Sequence, residues 1–283
     1  MNEISRFKRL RYNQIRIFSK LFERLSFSRH SRIILQTLGQ NPRVAHVLVG
    51  FRRTFGSFAA AELCTRRYGV PSHEHPANVT THRQFSESAR SSDYPVLFHM
   101  QRTLGEIRNV LDIGGSAGNL FYCYSRYLDL PRELRWTVFE VPQNVASGRE
   151  IAAERSEPRL LFVDRLEECA DADTVILSGS LHYFEALPPE LMRFLGRQPK
   201  HVFINRTPVI DGPSVVTVQD AGTYYAMSPA KILSRQTLFE SMDAANFELI
   251  DEWIVPELKL RIPLDPASSA TAYSGFYFRV RES

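Results

Sequence analysis

The chain has 283 residues, of which 43% are hydrophobic and 23% charged. This is an ordinary globular balance, large enough for one sizeable domain with an extension. No stretch approaches the ~18 consecutive apolar residues of a membrane span, and no apolar run follows the basic start, which argues against a secretory signal. The net charge of +4 is uneven: residues 1–32 hold nine Lys/Arg against Glu3 and Glu23, a balance of +7 that leaves −3 for the remainder, so a nucleic-acid-binding core is not expected.

Residues 4–26 predict an amphipathic helix. At 100° per residue, Phe7, Leu10, Ile17, Phe18, Leu21, Phe22 and Leu25 share one arc, with Arg6, Lys8, Arg9, Arg16, Lys20 and Arg24 mostly opposite. Such a helix lies on an anionic membrane surface or packs on its own domain or a second subunit. Residues 31–70 continue as expected helices. Phe55-Gly-Ser-Phe58 reads as a turn and N-cap before the strong helix formers of Phe58–Leu63. Residues 71–93 are polar and loop-like. They carry His73, His75 and His82, but without cysteine and with Glu74 as the one obvious carboxylate, so no metal site is expected.

From Asp93 the alternation of a doubly wound sheet begins. A helix is expected over 94–104, a strand over Asn109–Ile113, and a helix over 117–128. A second strand follows at 135–140, a helix at 144–155, and further strands at 160–163, 174–177 and 201–204. A helix near 188–196 separates the last two. Strands spaced by helices imply a parallel sheet with right-handed crossovers. Ser234 caps a helix over 235–245. Residues 247–255 and 272–280 then read as two strands with no crossover helix between, an antiparallel pair closing the sheet.

The central stretch is Asp112-Ile-Gly-Gly-Ser-Ala-Gly-Asn119, a glycine turn between strand and helix. Two ligand templates compete for it. The dinucleotide pattern G-x-G-x-x-G meets Gly114, Ser116 and Asn119, one match in three. The pattern of S-adenosyl-L-methionine (SAM) methyltransferases, D-x-G-x-G-x-G, meets Asp112, Gly114, Ser116 and Gly118, three matches in four. Ser116 is the departure; it is small, but its Cβ disfavours a positive φ. Glu140 and Val141 end the second strand, where an acid can accept both ribose hydroxyls. Asp164 and Arg165 end the third, beside the expected adenine. Ser178, Gly179 and Ser180 follow the fourth, where the reactive methyl would lie.

Residues 94–280 resemble class I SAM-dependent methyltransferases. More narrowly they are similar to a group of methyltransferases associated with bacterial surface-polysaccharide gene clusters. The marks are Asp93-Tyr-Pro-Val-Leu97, Val110-Leu-Asp-Ile-Gly-Gly115, Trp136-Thr-Val-Phe-Glu-Val-Pro142, Ser178-Gly-Ser-Leu-His-Tyr183 and Asn205-Arg-Thr-Pro208 with Asp211-Gly-Pro-Ser214. Phe55-Gly-Ser-Phe58 upstream fits the same group. The resemblance implies SAM as cofactor and a sugar or other surface-glycan precursor as acceptor, O-methylated.

Methyl transfer to a hydroxyl needs alignment and a proton acceptor in reach. His182 is the candidate base by location and ordinary pKa, against a packing or capping role. Tyr183 orients the acceptor or contacts the cofactor, against a half-buried packing role. Arg206 binds an acidic group on the acceptor or forms an ion pair that ties down its loop. Gln219, Tyr224 and Tyr225 follow in a turn-rich segment that would wall the acceptor. Asp112 is a cofactor contact, a helix or turn cap, or both.

The sequence therefore predicts an α/β, Rossmann-like, doubly wound seven-stranded sheet with a terminal antiparallel pair and an N-terminal helical extension. Residues 1–92 are the extension and 93–283 the SAM-dependent domain. An NAD(P)-dependent oxidoreductase and a non-catalytic binding module are the alternatives. Cys64, Cys123 and Cys169 are odd in number and far apart, which fits a reducing cytoplasm.

Overall fold

The structure, a computed structural model, describes residues 50–66, 87–169, 171–220, 227–262 and 265–282. The expected helix over 4–26, the histidines of 71–86 and Tyr224–Tyr225 lie outside the described residues.

Seven strands form the main sheet: β2 (Asn109–Ile113), β3 (Arg135–Phe139), β4 (Leu160–Val163), β5 (Thr174–Ser178), β6 (His201–Thr207), β10 (Phe247–Val255) and β11 (Tyr273–Val280). Their order is β4-β3-β2-β5-β6-β11-β10. Strands β2 to β6 are mutually parallel. Strand β11 runs antiparallel to both neighbours, β6 and β10, which is the closing antiparallel pair expected. The order reverses between β2 and β5, whose following segments pack on opposite faces of the sheet and leave a crevice at the C-terminal ends of these two strands.

Alternation along the strands builds a core on each face. Val110, Trp136, Val138, Leu160, Phe162, Ile176 and Phe203 face one side, where α2 (Asp93–Thr103), α3 (Asn119–Tyr124) and α4 (Pro142–Glu154) pack. Leu111, Ile113, Val175, Leu177, Val202, Ile204, Phe276 and Phe278 face the other, against α5 (Pro188–Met192) and α6 (Arg235–Ala244). Ser234 caps α6 as expected, its Oγ accepting from Thr237 N–H at 3.4 Å. Helices α3 and α5 are shorter than expected. In α3 the left-handed Gly118, φ 80°, holds the start back to Asn119.

Helix α4 lies close on the sheet because Gly148 has no side chain. A Cβ there would stand 2.2 Å from Phe162 Cε1. Gly148→Ala is therefore expected to lower stability by about 1–2 kcal/mol, overpacking outweighing the better helix propensity of alanine. Denaturant titration measures it, and a stabilised variant would contradict the close approach.

A second sheet was not expected. Strand β1 (Gly50–Phe55), in a stretch read as helical, pairs antiparallel with β8 (Val215–Asp220). Strand β8 pairs with β9 (Met227–Ser234), and β9 with β7 (Val209–Ile210). Helix α1 (Phe58–Arg66) follows β1, with Ser57 Oγ accepting from Ala60 N–H at 3.1 Å; the turn and N-cap reading is the observed one. Ala61 of α1 packs on Val218 and Met227. Residues 50–66, assigned by sequence to the extension, thus complete a sheet whose other strands follow β6.

Candidate functional site

The C-terminal ends of β2, β3 and β5 bring three turns together. After β2, Gly114 N–H donates to Phe139 O at 2.9 Å, and Gly118 N–H to Gly115 O at 3.1 Å. Gly114 and Gly118 take φ of 75° and 80°. Ser116 also takes a positive φ, 55°, the conformation its Cβ disfavours. Its backbone N–H donates to Glu140 Oε1 at 3.2 Å, an anchor for that backbone state.

Glu140 leaves β3 over this turn. Val141 N–H and Asn144 Nδ2 donate to its Oε2 at 2.8 and 3.2 Å. Burial raises its pKa, while these donors and Ser116 N–H oppose the rise. The carboxylate is half-buried and spans the gap between the turn after β2 and the start of α4.

Ser178, Gly179 and Ser180 close the other side. Ser180 Oγ donates to Ile113 O at 2.5 Å, and a Cβ on Gly114 would stand 2.4 Å from Ser180 Cβ. The two turns fit together only because residue 114 is glycine. Gly179, φ 74°, donates its N–H to Asn205 O at 2.8 Å.

Asp112 lies beneath the glycine turn. It is 1% exposed, receives Trp136 Nε1–H on Oδ2 at 3.2 Å, and sits where a Gly115 Cβ would be, 2.4 Å from that oxygen. Its Oδ1 has no hydrogen-bond partner among the described residues. Burial pushes its pKa up to about 7, against the Trp136 hydrogen bond and with Glu140 adding to the rise. These contacts place the carboxyl directly under the backbone of the turn. Asn119 opens α3 half-buried beside the turn, and Asp164 and Arg165 are exposed beyond β4. Among the described residues Arg165 pairs with Glu167, at 3.8 Å.

The three residues expected to handle the acceptor are placed differently. His182 is 3% exposed, with its ring centroid 4.0 Å from that of Tyr183 and 6.0 Å from that of Tyr273. Its ring is thus packed among the aromatic rings of Tyr183 and Tyr273. Tyr183 OH donates to Gln219 Oε1 of β8, and burial raises its pKa well above the usual phenol range, so it keeps its proton. Arg206 is 2% exposed. Its guanidinium pairs with Asp93, and donates from Nε to Ser92 Oγ at 3.0 Å and from Nη1 to Ser178 Oγ at 2.7 Å. The ion pair that ties down its loop is the contact observed, and Arg90 Nε stands 3.7 Å from the same carboxylate as a second cation.

Sequence reasoning missed Trp136 as the partner of Asp112, and the ring pair of Phe139 and Phe184, 6.4 Å apart, that links the end of β3 to the segment after β5. Position offered the one available signal: Phe139 precedes Glu140 and Phe184 follows Tyr183. Among the described residues no group of three His, Cys, Asp or Glu is close enough to hold a metal ion, and no helix is long and apolar enough to cross a membrane.

No protein-family model matches the chain, and no curated protein matches it. Solved structures do. The 1,6-didemethyltoxoflavin-N1-methyltransferase of Burkholderia thailandensis, with bound 1,6-didemethyltoxoflavin and S-adenosylhomocysteine, is 20% identical. That match covers 75% of this chain and 84% of that one, with a TM-score of 0.48. The glycopeptide N-methyltransferase MtfA complexed with sinefungin is 11% identical over 76% of this chain and 100% of that one, TM-score 0.46. The N-terminal domain of EvdMO1 with SAH bound is 11% identical over 68% and 82%, TM-score 0.44.

Proposed function

We propose that the chain is a SAM-dependent methyltransferase whose cofactor lies in the crevice between β2 and β5. The observation that carries this is Glu140 poised over the glycine turn at the point where the strand order reverses. Open α/β sheets bind ligands there, and an acid at the end of the second strand of the unit accepts a ribose. Three of the four positions of the SAM pattern match, against one of three for dinucleotides, and the antiparallel β11 interrupts the all-parallel order that a dinucleotide fold uses. These features favour SAM over NAD(P).

In this reading Gly114, Gly115, Ser116, Gly118 and Asn119 carry the methionine end on bare backbone. Glu140 and Val141 take the ribose, Asp164 and Arg165 border the adenine, and Ser178–Ser180 face the methyl. SAM supplies an electrophilic methyl on a sulfonium; the chain orients it and the nucleophile in line. His182, Tyr183 and Gln219 shape the acceptor wall. Tyr183 and Gln219 are uncharged hydrogen-bonding groups, which suits a polyhydroxylated acceptor such as a sugar or surface-glycan precursor, O-methylated.

Isothermal titration with SAM tests the reading. Binding is expected for the wild type. Glu140→Ala is expected to raise Kd about 10- to 100-fold, since hydrogen bonds to a charged group contribute roughly 1.5–3 kcal/mol. Folded wild-type protein that gives no heat with SAM, or that binds NAD(P) instead, would overturn it.

A further inference from the structure

The ion pair between Arg206 and Asp93 is an expensive arrangement for a fold to keep. Both side chains are 2% exposed. Replacing a buried pair by apolar groups is often neutral or stabilising, so such a pair is weak evidence of a stability role. Arg206 also takes φ 55°, a backbone state that non-glycine residues adopt at a cost and that gathers at functional sites. Asn205 Oδ1 holds that backbone by accepting Arg206 N–H at 3.0 Å, and is itself held by Trp253 Nε1–H at 3.1 Å.

Everything these groups hold converges on one place. Arg206 Nη1 reaches Ser178 Oγ, and Asn205 O receives Gly179 N–H. Asn205 Nδ2 donates to Ser92 O at 2.9 Å. Asp93 is itself fixed by Tyr124 OH at 2.9 Å and Arg90 N–H at 2.8 Å. The segment before α2, the strained end of β6 and the turn after β5 are thereby tied at a single guanidinium.

We infer that Arg206, with Asp93 as its counter-ion, is a positioning residue. It holds the turn Ser178–Ser180 in register with the glycine turn, and acts on ligand through that turn without touching it. The identity of the ligand rests on the reading above; the geometry does not. A lysine cannot replace the arginine, because one ammonium cannot span Asp93, Ser92 and Ser178 as the planar fork does.

The test uses Arg206→Met, Asp93→Asn, the double variant, Arg206→Lys and the milder Ser92→Ala. Each single charge removal is expected to destabilise, and the double variant to recover in part, because neither fully buried charge then remains, while the more exposed Arg90, 3.7 Å from Asp93, loses one carboxylate neighbour. In the recovered double variant, amides 178–183 are expected to exchange hydrogen about tenfold faster than in wild type, with those of β2 and β3 unchanged. Arg206→Lys is expected to show the same local loss, and Ser92→Ala a smaller one that is measurable even if the double variant does not fold. SAM affinity, titrated in parallel, is expected to fall about tenfold in the double variant. Wild-type exchange at 178–183 in a folded double variant, or in Ser92→Ala where the double variant fails to fold, would overturn the inference. So would unaltered SAM affinity beside altered exchange. Altered exchange in a protein whose wild type binds no SAM would support the inference and count against the cofactor.

Discussion

Gly114→Ala is expected to abolish SAM binding, by roughly 100-fold or more in Kd, with little loss of global fold. Two independent constraints act at this position. Its φ of 75° costs an L-residue about 1–2 kcal/mol. Its missing Cβ is the space in which Ser180 sits, 2.4 Å from where that atom would be. The backbone and Cβ of Ser180 must then retreat, the bond from Ser180 Oγ to Ile113 O breaks, and the crevice changes width where a ligand would be held. Isothermal titration reads the loss, and circular dichroism reads the fold. Gly105, with nothing within 4 Å of a Cβ, is the control: Gly105→Ala is expected to bind as wild type. Wild-type affinity in Gly114→Ala would remove the crevice between β2 and β5 as the cofactor site.

The second large effect is on stability and comes from Asp112. Its carboxyl holds a proton in the folded state up to about pH 7, whereas in the unfolded chain it loses it near the ordinary carboxylate value of 3.8. Between those values the folded state binds more protons than the unfolded one, so stability falls as pH rises, by ~1.4 kcal/mol per pH unit, and levels off above pH 7. Asp112→Asn removes the titration while keeping the acceptor for Trp136 Nε1–H. The variant is therefore expected to gain about 3 kcal/mol on wild type between pH 5 and pH 8. Denaturant midpoints at the two pH values measure it. A constant difference would mean that Asp112 is already ionised in the fold.

The sheet was legible because buried parallel strands read as short apolar runs between glycine, serine and proline signals. Strands β2 to β6 follow that rule, and β10 and β11 were found with their antiparallel relation. The second sheet was not legible. Strand β1, Gly50-Phe-Arg-Arg-Thr-Phe55, has no alternation and pairs with residues far along the chain. Strand β9 carries Pro229, which argues against a strand by local rules. The glycine turn and Glu140 were legible from spacing. The roles of His182 and Arg206 were not, because both readings of each were chemically sound. The choice between them lay with Tyr273 and with Asp93 and Ser92, residues that sequence order keeps remote. Ser116 is the instructive exception: its side chain argued against a positive φ, and a hydrogen bond from its backbone to Glu140 outweighed that preference.

The place of β11 has a consequence for how the chain is made. This strand fills the gap between β6 and β10, although both precede it in synthesis. At ~5–20 residues per second, the edge of β6 waits roughly 4–15 s for its partner on the ribosome. All seven residues of β6 are buried in the finished fold, so until β11 arrives its backbone edge is unpaired beside the apolar run Val202-Phe-Ile204, the kind of edge that pairs with other chains. Any truncation ahead of Tyr273 would make that temporary exposure permanent and turn a nascent-chain hazard into aggregation.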